Sequence, residues 1–180
     1  MNELTTLEKP QYPWYQIGQF QTLEQGDFIP NCPVILPENH FEILSSLSQR
    51  KAVEAQMVGN YVDLIIMSQS CDLENNKINQ VLLCGYYSAL KLSKNDLSEI
   101  KKERRPSLHL LEKCDSSILE FEKQVVDFRA IYTLPKDFVL AFAKTQKIRA
   151  RLLSPYKEHL SQAFARYFMR VGLPRPLIDE

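Results

Sequence analysis

Glycine is scarce in this chain, at 5 of 180 residues, and neither sign of charge is in excess, with 22 Lys and Arg against 22 Asp and Glu. The first scarcity argues against a disordered or repetitive chain, and 44% hydrophobic with 24% charged residues is ordinary for a globular domain. The charge balance removes any global basic field of the kind that drives non-specific nucleic-acid binding. A polyanion site must be a local patch. Long apolar runs are missing too: none approaches the roughly 20 residues of a membrane-spanning helix, and the start, MNELTTLEKPQYPWY, has no basic segment followed by an apolar one. The expectation is a cytoplasmic protein without a membrane partner. Cys32, Cys71, Cys84 and Cys114 form no CxxC pair, and neither HExxH nor a glycine-rich phosphate loop is present. Thiols, no metal and no cofactor are therefore expected.

What is present is a stretch from Tyr61 to Cys84, YVDLIIMSQSCDLENNKINQVLLC, around which the rest can be arranged. Leu64 to Met67 and Val81 to Cys84 are short unbroken apolar runs, read as two buried strands in the middle of an antiparallel sheet. Between them, Ser68 to Gln80 is a thirteen-residue polar loop rich in Asn and Asp. The length suits one core. Residues 1–15, with Pro10 and Pro13, read as an extended arm, 16–174 as a single α+β domain and 175–180 as a tail.

Other segments follow from local chemistry. Phe28 to Leu36 carries Pro30 and Pro33, which lack amide donors and suit an edge or bulged strand. Pro37 to Gln49 reads as loop or brief helix, and Val53 to Val58 with Gly59-Asn60 as a hairpin into the central strand. Ser93 is placed to cap a helix from Lys94 to about Arg104, whose KKERR end reads as a solvated terminus in preference to a nucleic-acid contact. Ser107 to Leu111 and Ile118 to Tyr132 read as strands, with His109 facing solvent and Asp127 and Arg129 pointing outward from Phe128. Leu134 to Lys144 reads as a helical turn or loop. Ile148 to Leu153 alternates Ile148, Ala150 and Leu152 inward against an outward basic face of Arg149 and Arg151. The clearest helix starts at Ser154 as N-cap and Pro155 as first residue, carries a stripe from Tyr156 to Val171, and ends at Gly172 and Pro174.

In this order, Gly26-Asp27-Phe28, LIIMSQS at 64–70, Leu83 to Ser88, Val126 to Thr133, Ile148 to Ser154 and the closing helix, the chain resembles the MazF/PemK toxin family. The resemblance implies a small curved, SH3-like antiparallel β-barrel with the C-terminal amphipathic helix packed on it. Active members cleave RNA with a basic residue, commonly Arg-Pro, ahead of the central strand and a Thr or Ser after the next one. Here Val58 to Asp63 contains neither Arg nor Pro, and only Ser88 matches the hydroxyl position. The resemblance thus implies a non-catalytic interaction or regulatory module in a toxin-antitoxin or phage-defence setting, with a protein partner or a second copy of the chain. The alternative is an endoribonuclease toxin for single-stranded RNA, with Ser88 catalytic and Arg149, Arg151 or Arg129 supplying the cation.

Two candidate surfaces complete the reading. Cys71, Asp72 and Glu74 lie in the long polar loop, whose acidic groups would favour a protein or cationic partner over RNA. Cys71 itself reads as a turn cysteine packed beneath the loop in preference to a nucleophile, because Asp72 disfavours its thiolate. The Arg149 and Arg151 face is the one that would meet phosphate.

Overall fold

The run Leu64 to Met67 is apolar at every position because both of its faces are covered. Leu64 and Ile66 enter one core with Val81 and Leu83, while Ile65 and Met67 enter a second with Cys84. The computed structural model describes residues 13–37 and 57–169. Its strands are β1 (Tyr15–Gly18), β2 (Phe28–Pro37), β3 (Met57–Ile66), β4 (Gln80–Ser88), β5 (Leu108–Leu111), β6 (Cys114–Asp115), β7 (Glu120–Phe121), β8 (Gln124–Pro135) and β9 (Arg149–Leu152). The α-helices are α1 (Ser70–Glu74), α2 (Lys94–Lys101), α3 (Lys136–Thr145) and α4 (Tyr156–Phe168). The architecture is mixed α+β.

An antiparallel five-stranded sheet runs in the order β2-β3-β4-β8-β5, so the two expected central strands are neighbours and β2, with its prolines, is an edge. On one side of the sheet Val139 and Ala143 of α3 pack over Leu64, Ile66, Val81 and Leu83. On the other, Leu160 of α4 with Ala150 and Leu152 of β9 packs over Ile65, Met67, Cys84 and Phe128. β1 pairs with β9, and β6 with β7. Among the described residues these ladders do not close into a barrel. The five-stranded sheet and the β1–β9 ladder are stitched together at Gly26 and Asp27: the Gly26 N–H donates to the Ile66 carbonyl at 2.9 Å, the Ile66 N–H to the Asp27 carbonyl at 3.0 Å, and the Leu152 N–H to the Gly26 carbonyl at 3.0 Å. Gly26 has φ +83, and a Cβ there would stand 2.8 Å from Leu152 Cβ. Only glycine fits that crossing.

The sheet bends where β8 carries a bulge. Cys84 pairs with Ile131 and Gly85 with Asp127, leaving Phe128, Arg129 and Ala130 out of the β4 ladder. Phe128 is fully buried there and meets Phe164 of α4 edge-on at 5.4 Å. Such a bulge aims a side chain that a regular strand could not.

Several sequence expectations are corrected. Gly59 and Asn60 run through β3 opposite Ile35 and Val34 and do not form a turn, because a long β2 gives them ladder partners. The segment Ser68 to Gln80 is not one open loop: α1 forms in it, anchored by buried Leu73 and by Lys136 Nζ donating to the Leu73 carbonyl. Leu134 to Lys144 mostly becomes α3, a full ten-residue helix. Helix α4 starts one residue later than expected, with Pro155 flanking it and the Ser154 hydroxyl bonded to Glu158 at 2.7 Å, so Ser154 caps no backbone amide. Tyr15, read as part of the arm, pairs with Leu152 in β1. Ile148 is exposed, not inward. Ser93 does cap α2, its hydroxyl accepting from the Asp96 N–H at 3.1 Å. The readings on Pro37 to Gln49 and the end of the last helix at Val171 to Pro174 fall, apart from Pro37 itself, outside the described residues, as does most of Val53 to Val58. Among the described residues no helix is long and apolar enough to cross a membrane.

The docking of α4 makes a graded prediction. Leu160 is fully buried and Phe168 is half exposed, so Leu160→Ala should lower unfolding free energy by about 2 to 5 kcal/mol, and Phe168→Ala by less than about 1 kcal/mol. Urea titration of both variants measures the difference; equal losses would mean that α4 is held by its outer ring contacts.

Candidate functional site

The strand that was expected to present arginines to solvent points them inward. Arg149 is 1% exposed and Arg151 is 7% exposed, both against the fully buried carboxylate of Asp27. Arg149 Nη1 donates to Asp27 Oδ2 at 3.1 Å, while Arg151 Nε reaches Oδ1 at 2.5 Å and its Nη2 reaches Oδ2 at 3.0 Å. Arg151 also donates to Glu24, and Arg149 to the carbonyl of Phe20 at 2.9 Å. The Phe20 ring covers both guanidinium groups, 4.1 Å from that of Arg151. Burial pulls Arg149 below the ordinary arginine range, Asp27 opposes this, and Arg151 adds to it. This is a structural ion cluster; the basic face predicted for phosphate is absent because the cations answer a carboxylate more than a hundred residues away.

Ser88 lies at the end of β4, and its hydroxyl accepts from the Leu90 N–H at 3.3 Å, capping the 3₁₀ turn Ala89–Lys91. It borders a cavity of about 400 Å³ together with Asp63, Tyr86, Lys91 and Arg149. The Arg149 guanidinium is directed to Asp27 and the Phe20 and Thr22 carbonyls. Asp63 accepts from the Asn31 N–H at 2.9 Å, holding Asn31 at its positive φ. Arg129 stands exposed on the bulge and forks onto Asp127 at 2.8 and 2.7 Å, apart from that cavity. Cys71, Asp72 and Glu74 are together on α1. Cys71 is exposed, not packed beneath a loop, since Leu73 takes the inward position of this short helix. Asp72 faces Lys77 at 3.8 Å. Glu74 borders a different cavity, of about 370 Å³, that also contains Glu24 and Lys136. The predicted residues therefore do not converge on one centre; only Ser88 and Arg149 share a cavity.

A second arrangement was not anticipated. A cavity of about 550 Å³ lies between α2, β5 and α4, lined by Trp14, Lys101, Arg105, His109, Lys123 and Arg166 among others. His109, expected to face solvent, is largely buried and its ring lies over Phe128 at 6.2 Å. Burial, then the charges of His159 and Arg166, push its pKa down to about 4. The basic run 101–105 was visible in the sequence, but its meeting with His109, Lys123 and Arg166 is a product of the fold. No group of His, Cys, Asp and Glu that could hold a metal is found among the described residues. The chain matches no protein-family model and no curated protein.

Two predictions follow from these contacts. Asp27→Ala leaves Arg149 and Arg151 buried without their shared carboxylate, a change that should cost about 3 to 5 kcal/mol in urea unfolding; a loss below about 1 kcal/mol would show that the cluster is not structural. For His109 the unfolded chain binds the proton more readily than the folded one, so the stability of its neutral form is complete above about pH 6.5 and is lost as pH falls toward 4. Lys101, Arg105, Lys123 and Arg166 surround it as cations and Glu103 and Glu112 as anions, with His159 also near it. His109→Gln should lose less stability than wild type between pH 7 and 4.5, by up to about 3 kcal/mol. Parallel losses would mean that His109 titrates like an exposed histidine.

Proposed function

We propose that this chain is a non-catalytic binding module with a MazF/PemK-like order of elements, in which the sheet and the β1–β9 ladder correspond to the small SH3-like barrel of that family. The observation that carries this reading is the engagement of all three arginines that were candidates to replace the missing Arg-Pro. Arg149 and Arg151 are held by Asp27 and Glu24 inside the molecule, and Arg129 is forked onto Asp127. A phosphodiester-cleaving site needs a cation free to meet developing negative charge and a base to take a proton. Ser88 makes its hydrogen bond to a backbone amide.

An exposed apolar pair supports the binding side of the reading. Tyr61 is 75% exposed and Ile35 59%. Tyr61 lies opposite Pro33 in the ladder, and Ile35 is two residues from Pro33, so both rest on one face of the β2–β3 ribbon. Large aromatic and aliphatic groups on an open face are common interface anchors. Pro30 and Pro33 block simple strand addition at this edge, so a partner would meet the face. The partner is a protein or a second copy of the chain, and the toxin-antitoxin or phage-defence setting, with its cytoplasmic location, is carried by the resemblance alone.

The ribonuclease reading is favoured by one observation: Ser88 borders a cavity with Lys91 and Asp63 nearby. The two readings separate in one experiment. The purified chain incubated with unstructured single-stranded RNA should leave it intact, and Tyr61→Ala with Ile35→Ala should abolish any self-association or partner capture seen by light scattering or pull-down. RNA cleavage by wild type that disappears in Ser88→Ala would overturn the proposal.

A further inference from the structure

The cavity between α2, β5 and α4 combines two features. Its floor is apolar, formed by Ile100, Leu108, Leu110 and Ala163, and its rim carries Lys101, Arg105, Lys123 and Arg166. Two of the four cations have carboxylate partners. Arg105 meets Asp96 at 3.1 Å and Lys123 meets Glu112 at 2.7 Å. Lys101 and Arg166 have no ion pair among the described residues, and they come from different helices, α2 and α4. Glu103 and Glu112 also line the rim, so the excess positive charge is modest and local, as a chain of zero net charge allows.

His109 lies in this cavity with no hydrogen-bond partner for its ring nitrogens among the described residues, neutral at pH 7 and therefore able to donate one hydrogen bond and accept another. Burial is the first cause of its depressed protonation and opposes charge of either sign; the Arg166 charge, which adds to it, is the part that would favour an anion. At one end of the cavity stands Trp14, stacked on Tyr156 with ring centroids 3.6 Å apart. That contact fixes the indole plane and so provides a rigid aromatic wall.

We propose that this cavity binds a small phosphorylated molecule with an aromatic body, of the size of a nucleoside monophosphate. Its phosphate lies between Lys101 and Arg166, its aromatic group lies on the apolar floor against Trp14, and His109 bonds the polar edge. The volume of about 550 Å³ falls within the range of small-ligand sites, which are mainly apolar with a few convergent polar groups. Arginine forks onto phosphate oxygens and lysine meets them as a point charge. The site is separate from Ser88 and from the Tyr61 face, so this inference does not rest on the module being non-catalytic.

The chain reports on the site directly, because Trp14 is its one tryptophan. Fluorescence of the full chain at low salt is followed on titration with inorganic phosphate, adenosine, adenosine monophosphate and a short oligoadenylate, each corrected for absorbance with free tryptophan. Adenosine monophosphate should give a saturable change with a Kd below about 1 mM, at least tenfold tighter than phosphate or adenosine alone. Lys101→Gln with Arg166→Gln should weaken it by at least tenfold, and since both side chains are exposed the variant's circular dichroism should match wild type. Absence of a saturable change with adenosine monophosphate, or equal affinity in the double variant, would overturn the proposal. Oligoadenylate binding more than tenfold tighter than the monophosphate would overturn the small-molecule assignment and point to a nucleic-acid strand.

Discussion

The Asp27 carboxylate, held between two arginines in a site without solvent, is the interaction on which the arrangement of the layers depends. Taking three charges out of water costs several kcal/mol per ion, and that cost is offset only where the geometry satisfies nearly every donor. Here Arg151 grips both carboxylate oxygens, Arg149 takes one, the Glu24 N–H donates to Asp27 at 3.1 Å, and the Glu24 carboxylate with the backbone carbonyls of Phe20 and Thr22 accepts from the other guanidinium nitrogens. Arg149 Nε alone is left unpaired. A network so nearly complete tolerates little displacement, which sets where β9 lies against Gly26 and β3. Through β9 it also sets where α4 begins, only a short link beyond Leu152.

Much of the fold was legible because hydrophobic pattern records which faces are covered. An apolar run without alternation, Leu64 to Met67, means burial on both sides, and the structure covers one side with α3 and the other with β9 and α4. Pro30 and Pro33 correctly marked an edge strand, and Ser93 a helix start. Turn chemistry was less dependable. Gly59-Asn60 is a strong hairpin signal in isolation, but β2 extends far enough to pair with both, and tertiary pairing overrides the local preference.

The candidate site was legible only in part, for a reason that the arginines make concrete. The alternation Ile148, Arg149, Ala150, Arg151 fixes that the two arginines share a side of the strand, but a period of two does not say which side meets water. The polar side normally does. Here all four residues of β9 are buried, and the deciding group, Asp27, is remote in sequence. His109 failed in the same way: between two leucines it looked outward, yet its ring lies over Phe128, and Ala163 and Arg166 of α4 line the cavity it borders. The cavity beside it gathers residues from the first strand's approach, a helix, a strand and the last helix, and no local window contains more than two of its cations.

These two groups of arginines and lysines explain how a chain of zero net charge can present a specific electrostatic feature. In the Asp27 cluster, cation and anion cancel within hydrogen-bond distance, and the low-dielectric surroundings make their mutual attraction strong while their field at a distance is weak. Beside His109, Glu112 pairs with Lys123 and Asp96 with Arg105, which leaves Lys101 of α2 and Arg166 of α4 without an ion pair among the described residues. A ligand that meets both must carry an anion and be apolar enough elsewhere to cover Leu108 and Leu110. A uniformly basic surface would attract any polyanion, and its attraction would fade within about 10 Å at ordinary salt. A pair of unmatched cations over an apolar floor acts only on a ligand already seated, so the discrimination falls on shape and chemistry together, and long-range charge contributes little to it.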